Sequence, residues 1–427
     1  MVTATNTGSI NNFHRAFKNP RCSLGILFSL LLLSSCVWSD PESAPGYLPV
    51  DDSDTPYAGL PRLVIETEDF TQIRDRETEI PAKLQIYGKG SPESDVLDLT
   101  IRGRGNSSFT GMPKPSYKIE FDKKQELFGM PKDKDWALIA NSADKTLLKN
   151  FITYKLAGWL GDEYTPRSTF VELYLNRQYQ GVYQLTETVK VGKNRVNIPK
   201  QGTSFLLERG PSDRGGEHFT VTEKGTTFGI KYPKNPSYAD KQTIKNTLSR
   251  FENLLSSDDS GHQLFGLFDF EDYLRYYWIQ ELAKNLDGAF RRSIFLTWHE
   301  GAKIQMGPVW DFDVAYGNWT ADTLRTPTDW YVRPSGWNGL IFKRNEYWNA
   351  AVEYWQSHRD FFKTLPDSIR KYAQELEPAT VNEFKRWPVL ENTENWTYKE
   401  AYDSYDEAID SLNSWIEQRI KWIDGNL

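Results

Sequence analysis

The chain has 427 residues, a hydrophobic fraction of 39%, and 15 Trp, 22 Tyr and 23 Phe, which exceeds one typical domain and lies far from the composition of a disordered chain. Its formal charge is −7, and the basic residues near the start leave the remainder more acidic still, which argues against a nucleic-acid binder or a polybasic membrane-surface protein. Both cysteines, Cys22 and Cys36, fall within the first 36 residues, so beyond them disulfides and thiolate-bound metals are excluded and any metal needs oxygen or imidazole ligands.

The chain opens with Arg15, Lys18 and Arg21, an apolar run at 24–33 too short to span a bilayer, and Leu33-Ser34-Ser35-Cys36. This order predicts a lipoprotein signal peptide over 1–35. Cys36 becomes the lipid-modified first residue of an exported protein anchored at the outer membrane or cell surface. The competing reading is a buried N-terminal helix with an incidental cysteine. Residues 36–61, rich in Pro, Asp, Ser and Gly, read as a tether.

From 62 to 236 the pattern is one of short strands, at 63–65, 83–87, 97–101, 116–121, 136–140, 170–175 and 180–186, the last two paired through Asn176-Arg177-Gln178-Tyr179. Residues 116–121 alternate, with Tyr117, Ile119 and Phe121 on one face and Ser116, Lys118 and Glu120 on the other. Apolar spacing predicts one helix at 144–159. From 237 to 427 helices dominate, at 238–255, 270–284 and 402–423, with a short hairpin at 293–298 and 303–306 just before Asp311. The predicted class is α+β: a mixed, mostly antiparallel sheet lobe followed by a mainly helical lobe.

Three carboxylates stand among apolar and glycine neighbours: Asp287 in Asn285-Leu286-Asp287-Gly288, and Asp311 and Asp313 within the 307–318 stretch GPVWDFDVAYGN. Carboxylates so wrapped are costly unless a cation or hydrogen-bond donors offset them, which makes a divalent metal with a phosphorylated ligand the first expectation. Asp311 is the leading metal ligand, and Asp313 either shares that role or is a hydrogen-bonded structural residue. Asp287 either serves the chemistry or closes the C-terminal turn of its helix. Arg102-Gly103-Arg104-Gly105 reads as a phosphate loop flanked by two cations or as a hairpin with exposed arginines. Lys118 and Lys149 are candidates to reach phosphates, and Glu187 to pair with one of them. The histidines His218, His262, His299 and His358 lack the H-E-x-x-H spacing of a zinc hydrolase.

Six motifs occur in order: Arg102-Gly103-Arg104-Gly105-Asn106-Ser107-Ser108, Ser116-Tyr117-Lys118-Ile119-Glu120-Phe121, Leu147-Leu148-Lys149-Asn150, Gly181-Val182-Tyr183-Gln184-Leu185-Thr186-Glu187, Asn285-Leu286-Asp287 and Pro308-Val309-Trp310-Asp311. Together they resemble the CotH kinase family, named for spore coat protein H. The resemblance implies an atypical protein-kinase-like two-lobe fold that transfers phosphate from ATP, with Mg2+, to a protein hydroxyl, its own included. It implies Asp311 as magnesium ligand and Asp287 where kinases place the catalytic-loop base. Arg102, Arg104, Lys118, Lys149 and Glu187 would then surround the nucleotide. The chain lacks G-x-G-x-x-G and D-F-G, so ordinary kinase geometry is not expected. Two other readings stand beside it: a metal-dependent glycosyltransferase using Asp311-Phe312-Asp313 as its D-x-D, and a non-catalytic surface-binding protein on a kinase-like scaffold. Membrane contact is expected only through the lipid anchor, and no nucleic acid is expected as partner.

Overall fold

Strand closure, rather than a flat sheet, organises the first half of the chain. The computed structural model describes residues 48–427 apart from 201–202, 211–217, 222–223, 258–261, 395–396 and 398–399. The predicted signal peptide, Cys36 and the tether up to residue 47 lie outside the described residues. Strands β1 (Arg62–Thr67), β2 (Ile80–Tyr87), β3 (Leu97–Arg104), β4 (Ser116–Leu127), β5 (Met130–Ile139), β6 (Ser168–Leu175) and β7 (Gln178–Glu187) form a closed barrel in the order β1-β2-β3-β4-β5-β7-β6. Six neighbouring pairs are antiparallel, and the parallel pairing of β1 with β6, Arg62 opposite Glu172, closes the ring. The predicted alternation follows the barrel wall: Ile101, Ile119, Leu138 and Leu185 fill the interior. β6 and β7 join through Asn176 and Arg177, both at positive φ (51° and 66°), the twist a two-residue hairpin requires.

A second sheet, β12-β11-β8-β10-β9, contains β8 (Ser204–Arg209), β9 (His218–Thr220), β10 (Thr227–Tyr232), β11 (Ile294–His299) and β12 (Gln305–Met306). It draws strands from both sides of Pro236, and its first three were not visible as strands in the sequence pattern. β8 reads Phe205-Leu206-Leu207, all buried, so it is covered on both faces and does not alternate.

The helices are α1 (Ser107–Thr110), α2 (Lys149–Trp159), α3 (Tyr238–Ser256), α4 (His262–Leu267), α5 (Phe270–Leu282), α6 (Asp322–Arg325), α7 (Gly336–Ile341), α8 (Asn345–Phe362), α9 (Leu365–Arg386) and α10 (Tyr405–Asp424). The fold is therefore mixed α+β, sheet-rich at the N-terminal side and helical at the C-terminal side. The predicted helix at 144–159 begins only at Lys149. Asp144 accepts from the Thr146 and Lys149 amides at 2.9 and 2.8 Å, and Leu147 takes φ 61°, so 144–148 is a turn that satisfies the helix's first N–H groups. No helix among the described residues is long and apolar enough to cross a membrane.

Two buried ion pairs tie the layers together. The Lys114 ammonium donates to Glu383 on α9 at 2.7 Å and to the Val182 carbonyl at 2.5 Å, while the other Glu383 oxygen takes the Val182 amide at 2.6 Å. Arg419 on α10 meets Glu281 on α5 at 2.7 Å, both fully buried. Glu281 also accepts the amides of Tyr331, Val332 and Arg333. Isolated charges at these depths would be prohibitive; paired and fully hydrogen-bonded, they fix which helix faces which strand.

Candidate phosphoryl-transfer site

Three carboxylates act electrostatically on the buried Asp313 in the loop after β12. Asp313 has its carboxyl pKa raised well above the usual range, first by burial and then by the charges of Asp311, Asp144 and Asp287. The chain thus gathers the three predicted aspartates and adds Asp144, whose role as a helix-start acceptor gave no periodic signal. The backbone holds them firmly. Asp311 adopts φ 70°, a left-handed conformation that Asp tolerates better than most residues, and its carboxylate accepts from Ser293 Oγ at 3.1 Å. Between Asp311 and Asp313, the Phe312 amide donates to Asn150 Oδ1 at 2.7 Å. Asn318 Nδ2 donates to the carbonyls of Asp313 and Ala143, both at 2.6 Å.

Asp287 follows α5 in a turn where Asn285 Oδ1 accepts its amide at 3.2 Å and Asn285 Nδ2 reaches Gln280 Oε1 at 2.9 Å. The turn does close the helix, as its residue types imply, and it also directs Asp287 toward the other acids. Arg292 Nε stands 3.8 Å from its carboxylate. Just before it, the Lys284 ammonium donates to the carbonyls of Thr323, Thr326 and Thr328 at 2.6, 2.9 and 2.5 Å, which anchors the following loop to the end of α5.

The predicted cations divide. Lys149 lies in the site, its ammonium 2.5 Å from Asp144 Oδ1, with both groups buried. Arg104 lies 4.7 Å over the Trp310 ring, and Trp310 stacks on Tyr154 at 5.6 Å. Burial lowers the Arg104 pKa against the opposing pull of Tyr154 and Asp311; a guanidinium remains charged regardless. Arg102 donates to the Arg76 carbonyl at 2.6 Å and approaches Glu79 at 3.5 Å. The glycine between Arg102 and Arg104 makes room for protein neighbours: a Cβ on Gly103 would stand 2.4 Å from the Phe109 ring and 2.6 Å from the Asp75 carbonyl.

Lys118 faces outward from β4, 2.7 Å from Glu120 and 2.8 Å from Asp135, the latter shared with Lys190. Glu187 pairs with Arg167 and Arg195 rather than with a lysine. Two guanidiniums and the Arg167 amide fill its acceptor sites, so it secures the end of β7. A cavity of about 270 Å³ opens beside Lys149 and Asn318, lined also by Lys145, Arg325, Tyr402 and Trp415.

The donor set suits a hard divalent cation. Among the described residues no group of three or more His, Cys, Asp or Glu side chains is placed to hold a metal ion. Magnesium bound with a nucleotide takes one or two carboxylates and completes its shell with phosphate and water. Asp311 and Asp313, with excess negative charge around Asp313, fit that demand. A family model described as CotH kinase protein matches residues 101–423. Among curated proteins none matches the chain.

Proposed function

The chain belongs to the CotH kinase family, and on that premise we propose that it is an exported atypical kinase with a two-lobe kinase-like arrangement, transferring phosphate from ATP to a protein hydroxyl, its own included. The observation that carries the reading is the buried Asp313 carboxyl under the charges of Asp311, Asp144 and Asp287, an accumulation of negative charge that a metal–nucleotide complex would offset. Asp311 and Asp313 would hold Mg2+, which when bound neutralises phosphate charge. Asp287 accepts or orients the proton of the attacking hydroxyl. Lys149 and Arg104 flank the acids and supply positive charge toward the phosphates. Cys36 carries the lipid anchor.

The test is incubation of the protein lacking residues 1–36 with γ-labelled ATP and Mg2+, followed by detection of labelled protein. Label that appears with Mg2+ and disappears with EDTA supports the kinase. Absence of label, together with no Mg2+-dependent thermal shift on adding ATP, favours the non-catalytic scaffold. A shift with sugar nucleotides alone favours the D-x-D transferase. For the anchor, wild type should partition into detergent and Cys36→Ala should not.

A further inference from the structure

Asp311 is delivered by the turn that follows β12, and two buried carboxylates from different elements grip that turn. Asp272 on α5 accepts the Met306 amide at 2.6 Å. Asp162, just past α2, accepts the amides of Tyr164, at 3.0 Å, and Val309. Its Oδ2 lies against Gly307, 3.4 Å from where a Cβ would be. Met306 and Val309 bracket the turn, so the two aspartates hold its two ends.

Their charges do not balance. Arg275 is hydrogen-bonded to Asp272 and also acts on Asp162. The other titratable groups coupled to the pair are Asp269 just before α5, Tyr164 beside Asp162, and Tyr276 and Tyr354 from α5 and α8, with Glu163 and Glu271 acting in turn on Tyr164 and Tyr354. None of these is a cation. Two carboxylates facing one guanidinium in a dry site carry a net negative charge unless a proton is retained.

We propose that Asp162 and Asp272 form a proton-holding clamp that positions the Met306–Val309 turn, and through it Asp311. The direction of its pH response follows from linkage. The Asp272 pKa is pushed up to about 7, chiefly by burial, with Asp162 and Asp269 adding to it and Arg275 opposing. Asp162 is raised as well, again by burial first. A carboxyl with a higher pKa in the closed form binds more protons there than when opened to water. Closure is therefore favoured at low pH and weakens as pH rises toward about 7, beyond which the contribution is gone.

Hydrogen exchange of the peptide covering 305–311, corrected for its intrinsic pH dependence, reads the clamp without reference to activity. Protection in the wild type should fall about tenfold between pH 6 and pH 8.5. Asp272→Asn removes the carboxyl that titrates at about 7 while keeping an oxygen to accept the Met306 amide, so its protection should change less than twofold over the same range. Constant wild-type protection overturns the clamp, and so does an Asp272→Asn protein that retains the wild-type fall. The link to Asp311's function rests on the kinase reading, and Mg2+-dependent ATP binding should follow the same pH course. If the protein binds no ATP at either pH, the kinase reading fails while the exchange result still decides the clamp.

Discussion

Asn150, in the first turn of α2, accepts the amide of Phe312 at 2.7 Å across 162 positions of sequence. That bond lies between the two aspartates of the loop, and the Nδ2 of Asn150 is itself committed to Asn141 at 3.0 Å. Asn150→Ala leaves a buried N–H without an acceptor, at a cost of about 1–3 kcal/mol. It should also weaken Mg2+-dependent ATP binding about tenfold, since both carboxylates lose their common reference. Urea unfolding and calorimetric titration measure the two effects separately.

Asp311 and Asp287 are assigned different jobs in one reaction. Asp311→Asn should abolish Mg2+-dependent nucleotide binding and all transfer, because the triphosphate charge is left uncompensated. Asp287→Asn should bind ATP normally and lose turnover on the order of a hundredfold or more. Wild-type binding and activity in both variants would end the kinase mechanism.

Lys149→Met removes the buried partner of Asp144 in a neighbourhood already crowded with acids. The expected loss is about 3 kcal/mol in a chemical denaturation midpoint. The Asp144→Asn/Lys149→Met double variant should recover part of it, because no uncompensated charge then remains.

Lys118 gives a contrasting expectation. Its ammonium is engaged by Glu120 and Asp135 on the outer wall of the barrel, and a phosphate contact would have to displace both. Lys118→Ala should leave ATP affinity within about twofold and stability within about 1 kcal/mol, as for other partly exposed ion pairs.

Arg419→Met tests the other buried pair. It strands Glu281, which still accepts three backbone amides but loses its only side-chain cation partner among the described ion pairs. A loss of about 3–5 kcal/mol is expected, read as a lower melting temperature.

Much of this was legible in the sequence, for identifiable reasons. Residues 116–121 declare themselves because Lys118 and Glu120 keep partial exposure while Tyr117, Ile119 and Phe121 fill the barrel interior, and 170–186 through an apolar run broken by a turn, although both strands are almost wholly buried. Asp311 and Asp287 stand out because carboxylates rarely sit in such apolar company. Barrel closure left no local trace, since β1 and β6 pair across a separation of about a hundred residues with no pattern of their own. β8 was hidden by burial on both faces. Asp144 escaped, and Asn150 was visible only as a member of the Leu147–Asn150 motif, because their work is to bond backbone amides, which side-chain periodicity does not record. Lys118 illustrates the converse: alternation placed it correctly on the outer face, and only the neighbouring strand revealed the acids already holding it.

The long reach of the stitching has a consequence for how the molecule is made. Lys385 donates to the Asp54 carbonyl at 2.8 Å, Asn382 to that of Pro56 at 2.9 Å, and Lys114 waits for Glu383, 269 positions later. Glu281 has no arginine until residue 419 is available. Loops of this size must close before their contacts repay the lost freedom, so assembly is intrinsically slow. A ribosome-bound chain would carry an unfinished interior until its last helix emerges. Late completion makes the docking of α10, which brings Arg419 to Glu281, a step on which the buried pair depends.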